Sequence, residues 1–136
     1  MAYDIFGFVE TCPQDLGAWV SAFSISEIVG HPDDFSNNVF GLSKFGQENA
    51  PLANRGLPVN VSLEVRDWIS SMARFELEEG ANCGDHSHTH ATVEEMKKFT
   101  VPSGSAWQMV FAKIAELQRG SRYSDAEIRI VLWANW

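Results

Sequence analysis

The first and last segments, "AYDIFGFVE" and "EIRIVLWANW", constrain this chain most: both carry β-branched and aromatic residues without helix spacing. In the first, Tyr3, Ile5, Gly7 and Val9 alternate with Asp4, Phe6, Phe8 and Glu10, so each face is apolar at its centre. That pattern suits an inner strand covered on two sides. In the last, Ile128, Ile130 and Leu132 alternate with Arg129, Val131 and Trp133. Two apolar strands left open at their edges would invite aggregation, so the reading pairs them with each other.

The segments between fill in the architecture. "CPQDLG" supplies turn chemistry and "AWVSAFSIS" reads as a second strand, joined to the first as a hairpin. "PDDFSNNVFGL" predicts a short helix with Pro32 and two aspartates in its first turn. Residues 42 to 60 lack a period and are expected to form a long ordered loop. Ser62 is placed to cap a helix over "LEVRDWISSMARF", whose Val65, Ile69 and Met72 or Ala73 share a face bordered by Trp68. The acidic run Glu76, Glu78 and Glu79 reads as a solvated edge. Thr92 and Glu95 form a capping box opening the helix "VEEMKKF", which must end before Pro102. "SAWQMVFAKIAELQRG" predicts a further helix with Trp107, Val110, Phe111, Ile114 and Leu117 as a core stripe and Gly120 as its left-handed stop. The expected fold is α+β: one domain over residues 1–136, a small, mostly antiparallel sheet pairing the N- and C-terminal strands, and about four helices packed on it.

Charge and cysteine usage narrow the function. A net charge of −8 with scattered basic residues, only Lys97 and Lys98 adjacent, argues against a nucleic-acid polymer as partner. No apolar run reaches the roughly 18 residues a membrane span needs, and the start has no basic region before an apolar stretch, so no secretory signal is expected. Cys12 and Cys83, in no C-x-x-C pair, suggest two free thiols and a cytoplasmic location.

The chemistry-bearing motif is "CGDHSHTHATVEEM", residues 83 to 96. If extended, His86, His88 and His90 project on one side with Ser87 and Thr89 on the other. Two such histidines could share a metal with Asp85, Glu94 or Cys83. No second cluster of His and Cys exists, however, since His31 stands alone, and one short segment is poor geometry for a closed site. Recognition is the second possibility. Imidazoles donate, accept and stack, Ser87, Thr89 and Thr92 add hydroxyls, and Arg55 could grip a phosphate by two hydrogen bonds. The third is a hydrated turn that fixes the helix entry. Nucleophilic and phosphate-cradling motifs are missing: there is no G-x-S-x-G elbow, and "FGLSKFG" lacks P-loop spacing.

The motifs "YDIFGFVE", "RGLP" followed by "VS" and a helix, "DHSH" running into Thr92 and Glu95, and "IRIVLWAN" together resemble a family of small uncharacterised proteins found mainly in bacteriophages and prophages. Where such relatives have a further aromatic after the second histidine, this chain has His90. The resemblance implies viral origin, with the host cytoplasm as the place of action, and an accessory role such as sequestering a nucleotide signal or blocking a defence enzyme. The expectation is therefore a binding protein rather than an enzyme, without catalytic residues or cofactor. It would hold a small polar, nucleotide-derived ligand through Arg55, Asp85, His86, His88 and Thr92, with His90 turned to solvent. The alternatives are a metal-dependent hydrolase using Asp85, His86, His88 and Glu95, and a protein blocker of a host enzyme. Trp133 or Trp136 is expected to pack in the core or across a homodimer interface, and a homo-oligomer is expected.

Overall fold

A computed structural model describes residues 4–13, 17–42, 49–79, 85–121 and 123–135. Cys83, Trp136 and the acidic side chains of Glu76, Glu78 and Glu79 lie outside the described residues and side chains. The chain runs β1 (Asp4–Thr11), β2 (Val20–Ser24), α1 (Asp34–Phe40), α2 (Leu63–Glu79), β3 (Asp85–Thr92), α3 (Val93–Met96), α4 (Trp107–Ser121) and β4 (Ile128–Asn135). The four strands form one antiparallel sheet in the order β2-β1-β4-β3. The two terminal strands are its central pair, matched residue for residue from Asp4 opposite Asn135 to Thr11 opposite Ile128. This is the expected α+β fold.

Alternation along β1 and β4 sorts the core into two layers. On one face Ile5, Val9, Ile128, Ile130, Leu132 and Ala134 pack with Phe35, Val39 and Phe40 of α1 and Trp107, Val110 and Ile114 of α4. On the other, Val131 and Trp133 pack with Val65 of α2, with Phe6, Phe8, Trp68 and Ile69 against them. Gly7 sits where the strands come closest. A Cβ there would lie 2.3 Å from the Val131 carbonyl oxygen and 2.8 Å from Leu132 Cα.

The helix ends show why the local signals work. Asp33 caps α1 and only Asp34 of the two aspartates stands in its first turn, Pro32 lying before the cap: Asp33 Oδ1 accepts from the Ser36 N–H at 2.9 Å, and Gly41 closes the helix in the left-handed conformation. Asp33 also accepts from the Ser105 hydroxyl, and the Trp107 indole N–H donates to Ser36 Oγ at 2.8 Å, so α1 is tied to the start of α4. α3 is shorter than its sequence pattern because i→i+3 bonds, such as Phe99 N–H to the Met96 carbonyl, tighten its last turn. Gly120 does not stop α4, which continues through Ser121: glycine takes right-handed helical angles as readily as left-handed ones. Ser62 precedes α2 and its carbonyl accepts from the Arg66 N–H, but its hydroxyl, expected to cap the helix, is bonded to that of Ser21 at 2.6 Å.

A buried charge pair joins the layers to the loops. Glu10 and Arg129 face each other across β1 and β4, and Arg129 Nε donates to Glu10 Oε1. The second carboxylate oxygen accepts from the Ser62 N–H, and Arg129 Nη2 donates to the carbonyls of Val59 and Asn60. The guanidinium carbon lies 3.9 Å from the centre of the Trp19 ring. The pair thus positions the turn before α2 and the segment before β2.

Candidate functional site

The histidine stretch is the edge strand β3, not a turn. Its pairing with β4 runs from Asp85 opposite Asn135 to Thr92 opposite Arg129, with a one-residue slip between His86 and Thr89. Ser87 takes a φ of 60°, which a non-glycine residue rarely adopts, and this marks the bulge. The slip breaks the alternation that would align His86, His88 and His90 on one side.

Each residue of the stretch has partners. The His88 ring stacks on Trp133, centroids 5.7 Å apart and planes 24° apart. Burial pushes its pKa below the ordinary 6.5, with the Asp85 charge opposing. The same burial lowers His86, helped by His88 and opposed by Asp85, and His86 Nδ1 lies 2.8 Å from the Ser87 hydroxyl. Both rings are therefore neutral at pH 7. Asp85 accepts from the Trp68 indole N–H at 3.1 Å and from the Asn135 amide. His90 was expected in solvent; instead its Nδ1 lies 2.9 Å from the Gly56 carbonyl oxygen. A carbonyl only accepts, so Nδ1 carries the proton.

The segment around Arg55 explains His90. Gly56 N–H donates to the His88 carbonyl at 2.9 Å and Arg55 N–H to Thr89 Oγ1 at 3.3 Å, while the Thr89 hydroxyl donates to the Leu52 carbonyl. Residues 52–56 thus lie along the outer side of β3 and cover that sheet edge. The Arg55 guanidinium reaches Glu95 Oε2. Burial acts to raise the Glu95 pKa, but hydrogen bonds from Arg55 and from the Thr92 N–H outweigh it and leave the carboxyl below its usual range. Thr92 and Glu95 complete the capping box: Thr92 Oγ1 accepts from the Glu95 N–H at 3.3 Å and Glu95 Oε1 from the Thr92 N–H at 3.2 Å.

The structure brings Asp85, His86 and His88 into one neighbourhood and joins Arg55, Thr92 and Glu95 in another. Among the described residues no group of three or more His, Cys, Asp and Glu is arranged to hold a metal ion. Asp85 and Glu95, the acids of the hydrolase alternative, are engaged by Trp68 and Asn135 and by Arg55. Trp133 is in the core, and its buried indole N–H has no acceptor among the described residues. No described helix is long and apolar enough to cross a membrane.

Four clefts formed by described residues lie elsewhere. One of about 440 Å³ is lined by Gly17, Trp19, Val20, Asn60, Leu63 and Arg66 among others. Another of about 410 Å³ runs along α2 past Glu64, Asp67 and Trp68. A third of about 300 Å³ lies between β2 and α4, lined by Ala22, Phe23, Lys113, Glu116 and Leu117. The fourth, about 310 Å³, includes Asp4, Glu27 and His31. None of these four is lined by Arg55, His86, His88 or Thr92. The first has an exposed apolar side chain in its lining, Leu63 at 66%, and Val59, 80% exposed, stands next in sequence to its lining residue Asn60. Sequence reasoning missed that cleft, because Leu63 reads as an ordinary helix residue and Val59 as a loop residue.

Comparison with protein-family models, with curated proteins and with solved structures finds no match to this chain.

Proposed function

We propose that this chain is a binding protein that acts by docking on another protein through the cleft at the start of α2. The observation that carries the reading is Leu63, exposed in the lining of a cleft walled by Trp19, Val20 and Val61, with exposed Val59 next in sequence to the lining residue Asn60. Apolar side chains clustered at a concave site supply the desolvated centre of a protein interface. Arg66 is the charged side chain in the lining of this cleft, and Glu64 and Asp67 line the next cleft along α2, so the complementary partner presents an apolar side chain flanked by groups of both charges. With the resemblance to phage proteins, this reading makes the chain an accessory protein that blocks a host protein.

The test compares the intact protein with the double variant V59D/L63D, both checked for an unchanged melting temperature. The intact chain should retain a host protein from lysate and the double variant should lose it. Retention by both forms, or by neither, counts against docking at this cleft.

A second reading keeps a small polar, nucleotide-derived ligand at Arg55, Asp85, His86, His88 and Thr92. What favours it is the neutral His88 ring stacked on Trp133, whose N–H lacks an acceptor among the described residues. Thermal shifts against a panel of nucleotides, with His88→Ala as control, decide it: stabilisation that H88A abolishes supports the ligand.

A further inference from the structure

We propose that a second copy of this chain adds to the open edge of β2, so that two four-stranded sheets join antiparallel into one. The two edges of the sheet differ. β3 is covered by residues 52–56, while among the described residues no strand or loop pairs with the outer side of β2. Alternate N–H and C=O groups of Val20–Ser24 therefore point away from β1, the arrangement that templates an added strand. Edge strands are commonly protected by lysine, other charges or proline, and "VSAFS" contains none of these.

Both flanks of the edge are shaped for an incoming strand. β2 is a wall shared by two clefts: Val20 lines the one beside α2, and Ala22 and Phe23 line the one beside α4. An added strand sends alternate side chains to opposite sides of the sheet, so each set meets a cleft.

Charge complementarity selects the occupant. The cleft beside α4 carries one cation and one anion, Lys113 and Glu116, neither in an ion pair among the described residues. The Lys113 ammonium instead hangs over the Phe23 ring, 5.7 Å from its centre. A two-fold axis beside β2 sets Lys113 of each copy against Glu116 of the other, so this patch is its own complement. The pairing is short: β2 has five residues, and Ala22 is the extra residue of a bulge opposite Val9 and Glu10. Association is accordingly reversible and concentration-dependent. It shares the cleft wall at Val20 with partner docking at Leu63, so the two occupants compete there.

Sedimentation velocity over a concentration series from micromolar to millimolar tests the proposal on the full chain. A monomer–dimer equilibrium is expected. K113E should weaken it at least tenfold, as should A22K, and the swap K113E/E116K should restore it, because the exchanged pair is again self-complementary. Circular dichroism of each variant confirms the fold, and the exposed positions 113 and 116 keep the test open if A22K does not fold. A monomer throughout the range overturns the proposal. So does a dimer that K113E leaves intact, or one that V59D/L63D abolishes while the charge variants do not.

Discussion

Arg129 and Glu10 are direct cross-strand partners at the centre of the sheet, joined Nε to Oε1 at 2.6 Å, with the carboxylate wholly shielded from solvent. A buried charge without its partner costs several kcal/mol, because desolvation is no longer offset. Glu10→Ala and Arg129→Ala should each destabilise by about 3–5 kcal/mol in urea titrations. The double variant Glu10→Leu with Arg129→Leu should lose less than the sum of the singles. Single losses below about 1 kcal/mol would show that the pair is not what joins the loops to the sheet.

Gly7→Ala tests the close approach of β1 and β4. The added methyl would meet the Val131 carbonyl oxygen at 2.3 Å, and that oxygen is backbone within a central strand, so it cannot swing aside. The expected loss is about 3 kcal/mol, at the upper end of overpacking. Gly17→Ala, where nothing lies within 4 Å of the added atom, is the comparison; its φ of 60° still disfavours alanine, but only by about 1 kcal/mol. Equal losses at the two positions would refute the steric account.

What the sequence made legible was local. The alternation of Ile5, Val9, Ile130 and Leu132 reads out the sheet faces because strand periodicity needs no partner, and Thr92 with Glu95 reads out a helix start because the cap lies within one turn. The His86–His90 pattern misled because its regular alternation assumed a regular strand, and nothing in "HSHTH" announces that Ser87 would take a positive φ. Arg55 was assigned to an anion, but its carboxylate partner is Glu95, 40 positions away. Glu10 and Arg129 are separated by 119 positions. Contacts of that range follow from strand order, and strand order followed only in part from the patterns. The cleft at the start of α2 was invisible for the same reason: Trp19 and the carbonyls of Val59 and Asn60 are gathered around Arg129, far away in sequence.

The Arg55–Glu95 pair should contribute little on its own. Both side chains are about one-third exposed, where such pairs are worth about 0.2–1 kcal/mol. Glu95→Gln removes the charge while keeping cap geometry, so its chief effect is on pH dependence. The folded carboxyl titrates below the ordinary 4.5, so its stabilisation is present above that value and lost as pH falls through the folded value. Denaturation from pH 6 to pH 3 should show a shallower loss in Glu95→Gln than in the parent. Thr92→Ala, which removes the cap acceptor, should cost about 1 kcal/mol across the whole range.

His88 gives the second pH signature. The ring is sandwiched against Trp133, and burial holds its pKa below 6.5, so the unfolded chain takes up a proton near pH 6.5 while the folded chain resists. Between those two values the unfolded state binds more protons, and stability rises with pH. The folded state is thus at full strength above 6.5 and loses stability as pH falls from 6.5 through the folded value. His86 shifts in the same direction from the same cause and adds to the slope. His88→Gln, with a flat polar group in place of the ring, should reduce the slope of stability between pH 7 and pH 5, and the double variant with His86→Gln should reduce it further. A slope that survives both His86→Gln and His88→Gln would mean that neither ring resists protonation in the fold. The neutral imidazoles on which the ligand reading rests would go with it.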